Sequence, residues 1–480
     1  MKFLSGVLFR KRKRRLLQDD YDNEFSPYNE DSNKTKRGKL SRLLKGVHSL
    51  FFKTTHPEHN TMENLMDFKV LRPKQCHKEE HSFVKPGARC PICLPIARSG
   101  HRMFCDNGYI YVLGGFNPIS RNGSSLIKDI WALNKYTEEW TPVRTDGDFP
   151  DEMASFSIAQ NEARNCTFVF GGTGVPFGSK ASNKMRALVR CESFDHWRWR
   201  EIETFGEGPS PIYGQSMEYV EGDGIYIIGG TTGFEYNMNV YKLIQPRAGP
   251  LTGEILNMKW EWSREYLTKD SDIGRYRHEM VQLEEGFLLV GGGTPRSSLP
   301  LSKLLLFNIK QKAFVETETL PDKQFGFPCS RRCHVVVRSG NWAFIVGGCK
   351  DTLVPLNDVP ELKPLDDMWA LELTTLQWEK RRVTMDIPVY FHAGVLTEEK
   401  CLFTFGGCTD QGISARSDTL ERIWLQPPPL LHTMFTEYAQ KIPQKFTNYD
   451  ANLLQTKFSL LLKDCMDAET FRRSKSVAAQ

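Results

Sequence analysis

A strand-like apolar run that ends in two glycines occurs six times in this chain and constrains its fold more than any other feature. The glycine pairs end at Gly115, Gly172, Gly230, Gly292, Gly348 and Gly407, so successive spacings are 57, 58, 62, 56 and 59 residues. The runs before them read YIYVL, CTFVF, GIYII, GFLLV, WAFIV and CLFTF. So regular a period indicates repeated units that bury their apolar faces against one another.

Each repeat contains the parts of a four-stranded antiparallel sheet. One apolar stretch precedes the run, and another follows the glycines after a loop of variable length, as in DIWALN and DMWALEL. A large aromatic side chain then follows in most repeats: Trp140, Trp197, Trp260, Phe314 and Trp378. Glycines permit tight turns where units crowd together, and the aromatics would seal neighbouring units. The pattern resembles the kelch family, which implies an all-β fold, a six-bladed β-propeller.

The sixth repeat lacks its outermost strand. It has a lead-in at 392–396, the run to Gly407 and a third strand at 422–426, but PPPLL follows. Prolines cannot donate to a strand ladder, so the fourth strand must come from elsewhere. We expect Met66–Leu71 (MDFKVL) to supply it and to close the ring by joining its two ends.

The charge is concentrated at the start of the chain. Residues 1–60 contain 14 Lys or Arg against 7 Asp or Glu, and residues 10–15 read RKRKRR. The run favours a solvated, disordered arm, with a nuclear import signal or a contact to an anionic surface as the alternative. The predicted divisions are a disordered arm at 1–62, the propeller at 63–426, two C-terminal helices at 427–466 and a disordered tail at 467–480.

Other features bear on compartment and class of function. No apolar run reaches about 18 residues and the first residues do not read as a secretory signal, so we expect a soluble protein of cytoplasm and nucleus that binds neither membrane nor nucleic acid. The 12 cysteines are scattered, which fits reduced thiols. One cluster has the ligand types of a zinc site but only a single CxxC, so no cofactor is predicted; it comprises Cys76, His77, His81, Cys90 and Cys93.

Polar residues recur just before the first strand of each repeat, where the six units of a propeller converge on one mouth of the channel. Three repeats carry R-x-x-H: Arg98 with His101, Arg275 with His278, and Arg331 with His334. Arginines without matching acids would repel one another unless an anion sat between them, whereas an arginine could also just bridge to a neighbouring carboxylate. The predicted mouth residues are Arg275, Arg277, Arg331, Arg332, Arg98, Tyr213, Gln215, Tyr390 and His392.

Enzyme chemistry is not expected. The chain has no GxSxG, P-loop, HExxH or dinucleotide-binding motif, and its glycine pairs follow strands without a helix to present to phosphate. Some kelch propellers are copper oxidases, but no spacing here selects a Tyr and His ligand set.

Apolar residues return at helical spacing after Pro427. They comprise Leu430, Leu431, Met434, Phe435 and Tyr438 in the first segment, and Leu453, Leu454, Phe458, Leu461 and Leu462 in the second. Two such amphipathic helices outside a complete ring would either bind a partner or pack on the flank of the propeller.

Longer motifs suggest the partner. ARSGHR, FGGTGVPFG, RYRHE, GFPCSRRCH and PVYFH resemble, in this order, a group of kelch proteins that act as substrate receptors of cullin-2 RING ubiquitin ligases. The resemblance implies that the propeller recognises C-terminal degrons, client chain ends with small last residues. It also implies that a helix binds elongin B/C through Leu430, Leu431, Met434, Phe435 and Tyr438. Met434 and Tyr438 depart from the residues usual in such an elongin-binding motif, the elongin box. The alternative that the resemblance leaves open is an interaction scaffold that activates a stress-responsive MAP kinase cascade.

Overall fold

The computed structural model describes residues 67–71, 93–106, 108–119, 124–294, 296–352, 361–411, 414–429, 432–433 and 436. Two units divide the chain, Met1–Met62 and Glu63–Gln480, and all described residues belong to the second. The basic arm, most of the cysteine–histidine cluster and all five predicted elongin-binding residues lie outside the described residues. None of the described helices is long and apolar enough to cross a bilayer.

Strand β1 (Lys69–Val70) is the first strand of the described chain. It is followed by a four-stranded sheet, blade 1, and a five-stranded sheet, blade 2. Blade 1 consists of β2 (Arg102–Cys105), β3 (Tyr109–Leu113), β4 (Ile130–Asn134) and β5 (Trp140–Pro142). Blade 2 consists of β6 (Arg144–Asp146), β7 (Ser157–Gln160), β8 (Cys166–Phe170), β9 (Met185–Arg190) and β10 (His196–Glu201).

Blades 3 and 4 repeat the arrangement. Blade 3 consists of β11 (Thr204–Phe205), β12 (Ser216–Val220), β13 (Gly224–Thr231), β14 (Tyr236–Ile244) and β15 (Trp260–Tyr266), with the short helix α1 (Gly253–Leu256) before its last strand. Blade 4 consists of β16 (Glu279–Gln282), β17 (Gly286–Val290), β18 (Lys303–Asn308) and β19 (Ala313–Glu318).

Blades 5 and 6 complete the wheel. Blade 5 consists of β20 (Val335–Ser339), β21 (Trp342–Val346), β24 (Asp367–Glu372) and β25 (Trp378–Thr384), and the hairpin of β22 (Cys349–Thr352) and β23 (Glu361–Pro364) interrupts it. Blade 6 consists of β26 (Ala393–Leu396), β27 (Cys401–Phe405) and β28 (Leu420–Trp424). The expected six-bladed propeller is confirmed.

The predicted closure of the ring is confirmed as well. Strand β1 pairs antiparallel with β28, with Lys69 opposite Arg422 and Val70 opposite Glu421. Leu71 extends the ladder by donating its N–H to the Leu420 carbonyl at 2.9 Å and is itself buried between blades 6 and 1. Residues that precede blade 1 in sequence thus form the outer strand of the last blade.

The hydrophobic core consists of six clusters, one in each interface between neighbouring blades. The predicted sealing aromatics lie in these interfaces: Trp197, Trp260 and Trp378 are fully buried, and Trp140 and Phe314 partly so. Because each sheet buries both faces, no blade could hide its apolar surface alone.

The glycine pairs permit this close approach. In blade 5, Gly347 has a φ of +60°, and a Cβ there would lie 2.9 Å from Cε1 of His392 in blade 6. A larger residue would be strained by its backbone angles and would push the imidazole out of the interface. The repeated doublet therefore reflects contact between blades as well as the turn itself.

Candidate functional site

Four residues before the inner strand of each blade form what we term a corner. The second glycine of each pair donates its N–H to the carbonyl of the first corner residue of the next blade, which aligns the six corners. They are residues 98–101, 153–156, 212–215, 275–278, 331–334 and 389–392 in blades 1 to 6.

The third corner residues form a closed ring around the axis. Each donates its N–H to the carbonyl of the third corner residue of the blade before it, over 2.7 to 3.2 Å. All six have a positive φ; they are Gly100, Ser155, Gly214, Arg277, Cys333 and Phe391. This hydrogen-bonded ring forms the floor of the mouth, because it narrows the channel at that level to the space between six backbones.

Arg277 crosses this ring. Its guanidinium carbon lies 4.5 Å from the centre of the Phe391 ring in blade 6, and Nη2 donates to Oγ of Ser155 in blade 2. The residue is only 8% exposed, and burial lowers its pKa. Among the described residues no carboxylate forms an ion pair with it. Arg277 therefore brings to the axis of the propeller a buried positive charge that no described carboxylate contacts directly, with the charge of Glu279 acting on it from a distance.

Arg275, at the first position of the same corner, also has no acidic partner within the part of the chain that the structure describes. It is 6% exposed, donates Nη1 to the Gly291 carbonyl at 3.3 Å, and leaves its buried Nε without an acceptor. Burial lowers its pKa to about 10, so it remains charged at neutral pH. A buried charge without a partner is costly, which makes this position a candidate for binding an anion.

The equivalent arginines of blades 1 and 5 are neutralised inside their own blades. Arg331 reaches both oxygens of Asp367, at 2.7 and 3.0 Å, and Arg98 reaches both oxygens of Asp129, at 2.5 and 3.1 Å. Although burial opposes ionisation, Arg331 holds the pKa of Asp367 below its usual range. The expectation that these arginines lack acids is wrong for Arg98 and Arg331.

Arg332 also has an acidic partner. Its Nη2 forms an ion pair with Asp351 at 2.8 Å, and Nη1 donates to the Thr294 carbonyl at 2.9 Å. Of the five predicted arginines, only Arg275 and Arg277 therefore lack a carboxylate partner among the described residues.

The fourth corner residues lie between blades and not in the mouth. His101, His278, His334 and His392 are buried against the main chain that ends the second strand of the preceding blade. Burial lowers the pKa of His334 to about 3 and of His392 to about 4, so both rings are neutral at pH 7. Gln215 replaces histidine in blade 3 and donates Nε2 to the Phe170 carbonyl at 2.9 Å. The prediction that Gln215 and His392 shape the mouth is corrected accordingly.

The second corner residues pair with the residue that follows each glycine doublet and stand at the base of the loops around the mouth. Tyr213 contacts the ring of Phe177, and Tyr390 contacts Phe391, with ring centres 5.7 and 5.3 Å apart. Apolar side chains on the loops of blades 1 to 3 remain exposed; they are Ile119, Val175, Phe177 and Phe234. The mouth thus combines a cationic side at blade 4 with an apolar rim.

Below the ring the channel has a different character. Its inner strands enclose about 160 Å³ and are bridged by the ion pair between Arg102 of blade 1 and Glu279 of blade 4, at 2.8 Å. At the far end it widens to a cavity of about 610 Å³ that includes Glu162, Glu218 and Glu398. The far cavity therefore contains more acidic than basic side chains among its described lining residues, with Arg164 as its basic one.

Comparison with known proteins agrees with this architecture. The model of the KLHDC2/KLHL20/DRC7 Kelch-repeats domain matches residues 70–244 and 254–426. The chain is 34% identical over 371 residues to rat Kelch domain-containing protein 10, covering 76% of this chain and 83% of the relative. It is 35% identical over 373 residues to the human protein of that name, covering 76% and 77%.

A more distant relative is the Kelch domain-containing protein 10 homolog of Drosophila melanogaster, 29% identical over 393 residues, which cover 76% of this chain and 59% of the relative. Because the two matched ranges of the family model together span all six blades, the chain belongs to the kelch-repeat family.

Proposed function

We propose that this protein is a substrate-recognition subunit of a cullin-2 RING E3 ubiquitin ligase that binds the C-terminal carboxylate of client proteins in the mouth of the propeller. The observation that carries the proposal is the pair of buried arginines in one corner, Arg275 and Arg277, which have no carboxylate partner among the described residues. A planar guanidinium fork is complementary to a carboxylate.

A chain end suits this site better than an internal acidic side chain. The hydrogen-bonded ring narrows the channel at the level of Arg277, so a ligand would reach the arginines end-on. A small last residue lets the carboxylate descend to the floor. Capture of a terminal carboxylate is an established mode of peptide recognition, and charge-assisted hydrogen bonds contribute about 1.5 to 3 kcal/mol each.

The apolar rim would hold the residues that precede the carboxylate. Phe177 and Phe234 are 50% and 89% exposed and follow the glycine doublets of blades 2 and 3. Large exposed apolar side chains around a pocket are typical of a protein-binding surface. Two contacts to the carboxylate together with rim contacts could reach the roughly 8 kcal/mol of micromolar binding.

The segment after blade 6 would recruit the ligase. Its described residues begin as a helix, because Thr433 donates its N–H to the Pro429 carbonyl and Thr436 donates its hydroxyl to the His432 carbonyl, at 3.2 and 2.9 Å. His432 is buried and packs against Trp424 of blade 6 and Tyr136 of blade 1. The helix that would carry the elongin box therefore starts from a fixed point on the propeller.

Two measurements test the proposal. In the first, a peptide with a free C-terminal glycine is titrated against wild-type, Arg275→Ala and Arg277→Ala proteins, with the amidated peptide as control. We expect each substitution to weaken binding about 10-fold or more, since one charge-assisted contact is lost. Unchanged affinity in both variants would reject the site.

In the second, wild-type and Leu430→Asp proteins are used to capture elongin B/C. We expect capture by the wild type and its loss in the variant. Kinase or phosphatase association that survives the substitution, without elongin, would instead support the scaffold function.

A further inference from the structure

The outer edge of blade 2 brings together three side chains that could bind a metal ion. The ligating atoms of Asp146, Cys191 and His196 all lie within 4.8 Å of one another. Nε2 of His196 is 3.0 Å from Oδ2 of Asp146. Cys191 and His196 are partly buried and Asp146 is exposed.

Sheet topology explains why residues so far apart in sequence meet. Strand β6, which leaves blade 1, pairs in parallel with β10 of blade 2, with Arg144 opposite His196 and Asp146 opposite Arg198. On the other side of β10, Cys191 donates its N–H to the His196 carbonyl at 2.9 Å. His196 therefore stands between a cysteine that directly follows β9 and an aspartate on β6.

We propose that Asp146, Cys191 and His196 form a zinc site. Zinc takes thiolate sulfur, imidazole nitrogen and carboxylate oxygen as tetrahedral ligands, whereas the sulfur donor disfavours magnesium and calcium. Three protein ligands leave the fourth position to water. On binding, the Cys191 thiol releases its proton to solvent and its sulfur bonds to the metal.

The polar contacts of Asp146 converge on one of its two oxygens. The side chains of His196 and Arg198 both contact Oδ2 of Asp146, each at 3.0 Å. Arg198 contacts Oδ2, at 3.0 Å from Nη2, which leaves Oδ1 for the metal. Arg198 is then a positioning residue that orients the carboxylate from outside the coordination sphere.

A metal bound at this site would cross-link two segments of the chain. Asp146 belongs to the segment that joins blades 1 and 2, whereas Cys191 and His196 lie at the end of the β9–β10 hairpin. A bound ion would therefore fasten the connection between two blades to the outer edge of the second. This role is independent of the mouth and of the function proposed for it.

Cobalt(II) titration of the full-length protein tests the proposal, because cobalt replaces zinc and a cobalt–thiolate bond gives a near-ultraviolet charge-transfer band. We expect one equivalent to produce this band together with the visible bands of tetrahedral cobalt. Cys191→Ser should abolish the charge-transfer band, and Arg198→Ala, at a side chain outside the coordination sphere, should keep it. Cys329→Ser, at another partly buried cysteine, should leave the spectrum unchanged.

A Cys90→Ser/Cys93→Ser variant separates this site from the cysteines near the start of the propeller, and it should retain the band. In addition, zinc should raise the thermal midpoint of the wild type but not of Asp146→Ala, with both proteins equally stable in chelator. The proposal is overturned if the wild type gives no charge-transfer band, or if the band survives Cys191→Ser.

Discussion

Blades 4 and 5 reach the mouth of the propeller with the same pattern, an arginine followed three positions later by a histidine, but they hold the arginine differently. In blade 5, Arg331 is paired with Asp367, and Nε1 of Trp369 donates to the same carboxylate at 2.7 Å. Blade 1 repeats this arrangement with Arg98, Asp129 and Trp131. In blade 4, no carboxylate of the described residues pairs with Arg275.

Strand register gives the reason. Asp367 precedes Met368, which pairs with Val346, the residue before the glycine doublet of blade 5. In blade 4, Leu305 pairs with Leu289, so the equivalent of Asp367 is Lys303. Lys303 instead contacts Glu316 at 2.7 Å on the surface. The same corner thus holds a structural ion pair in blades 1 and 5 and a buried arginine without a described carboxylate partner in blade 4.

The largest expected difference is in stability. Asp367→Ala leaves Arg331 buried and unpaired and should lower the free energy of unfolding by about 3 to 5 kcal/mol. Arg275→Ala removes a charge that is already unpaired and should cost under about 1 kcal/mol or stabilise the protein. Urea denaturation of both variants measures this, with Asp195→Ala as a surface control. Equal losses in both would contradict the distinction between the blades.

The buried histidines of the corners should make the free energy of unfolding fall in acid. Because the folded-state pKa of His334 is about 3 and that of His392 about 4, the unfolded state binds protons first as the pH falls below about 6.5. The contribution of these two histidines to the free energy of unfolding is fully present above that pH. It should be lost progressively down to pH 4, at about 1.4 kcal/mol per pKa unit for each group.

His392→Gln should flatten this dependence, since Gln215 already fills the equivalent place in blade 3. Unfolding midpoints between pH 7 and 4 provide the measurement. An identical slope in the variant would show that this histidine is not held neutral.

A substitution in blade 4 can supply Arg275 with a carboxylate partner. Lys303→Asp should place a carboxylate where Arg275 can pair with it and raise the free energy of unfolding by about 1 to 2 kcal/mol, of which little is offset by loss of the exposed Lys303–Glu316 pair. Thermal denaturation is the assay, and Lys303→Ala is the matched control. If both substitutions shift the midpoint equally, no pair has formed.

The smallest effect concerns the orientation of Arg277. Ser155→Ala removes the hydroxyl that accepts from its guanidinium and should weaken binding of a carboxylate-ended peptide by about 0.5 to 1.5 kcal/mol. Isothermal titration can resolve this, with Ser157→Ala as a comparison. A loss as large as that of Arg277→Ala would mean that Ser155 itself contacts the ligand.

The repeats, the closing strand and the sealing aromatics could be predicted because each depends on a local pattern: a glycine doublet, prolines after β28, a tryptophan at fixed spacing. The pairing of Arg331 could not be predicted from its own neighbourhood, since Asp367 lies 36 residues away. A signal was present, however. An Asp-x-Trp motif occurs at 129–131 and 367–369 and is replaced by Lys-Leu-Leu at 303–305.

The closed ring of third corner residues was missed for a different reason. Its members are glycine, serine, arginine, cysteine and phenylalanine, and they share only a positive φ and a hydrogen bond to the neighbouring blade. A backbone ring imposes little on side-chain identity, so the sequence carries no pattern for it. Likewise Gln215 and His392 look accessible in sequence but fill the interfaces between blades.

Binding of one peptide in two forms tests the central claim most directly. The affinities of the free acid and the C-terminal amide are measured for the wild type and for Lys303→Asp. The account predicts that the wild type binds the acid at least about 10-fold more tightly than the amide, and that Lys303→Asp removes most of that preference because Arg275 is then neutralised from within. A wild type that does not distinguish acid from amide, or a variant that retains the full preference, would contradict it.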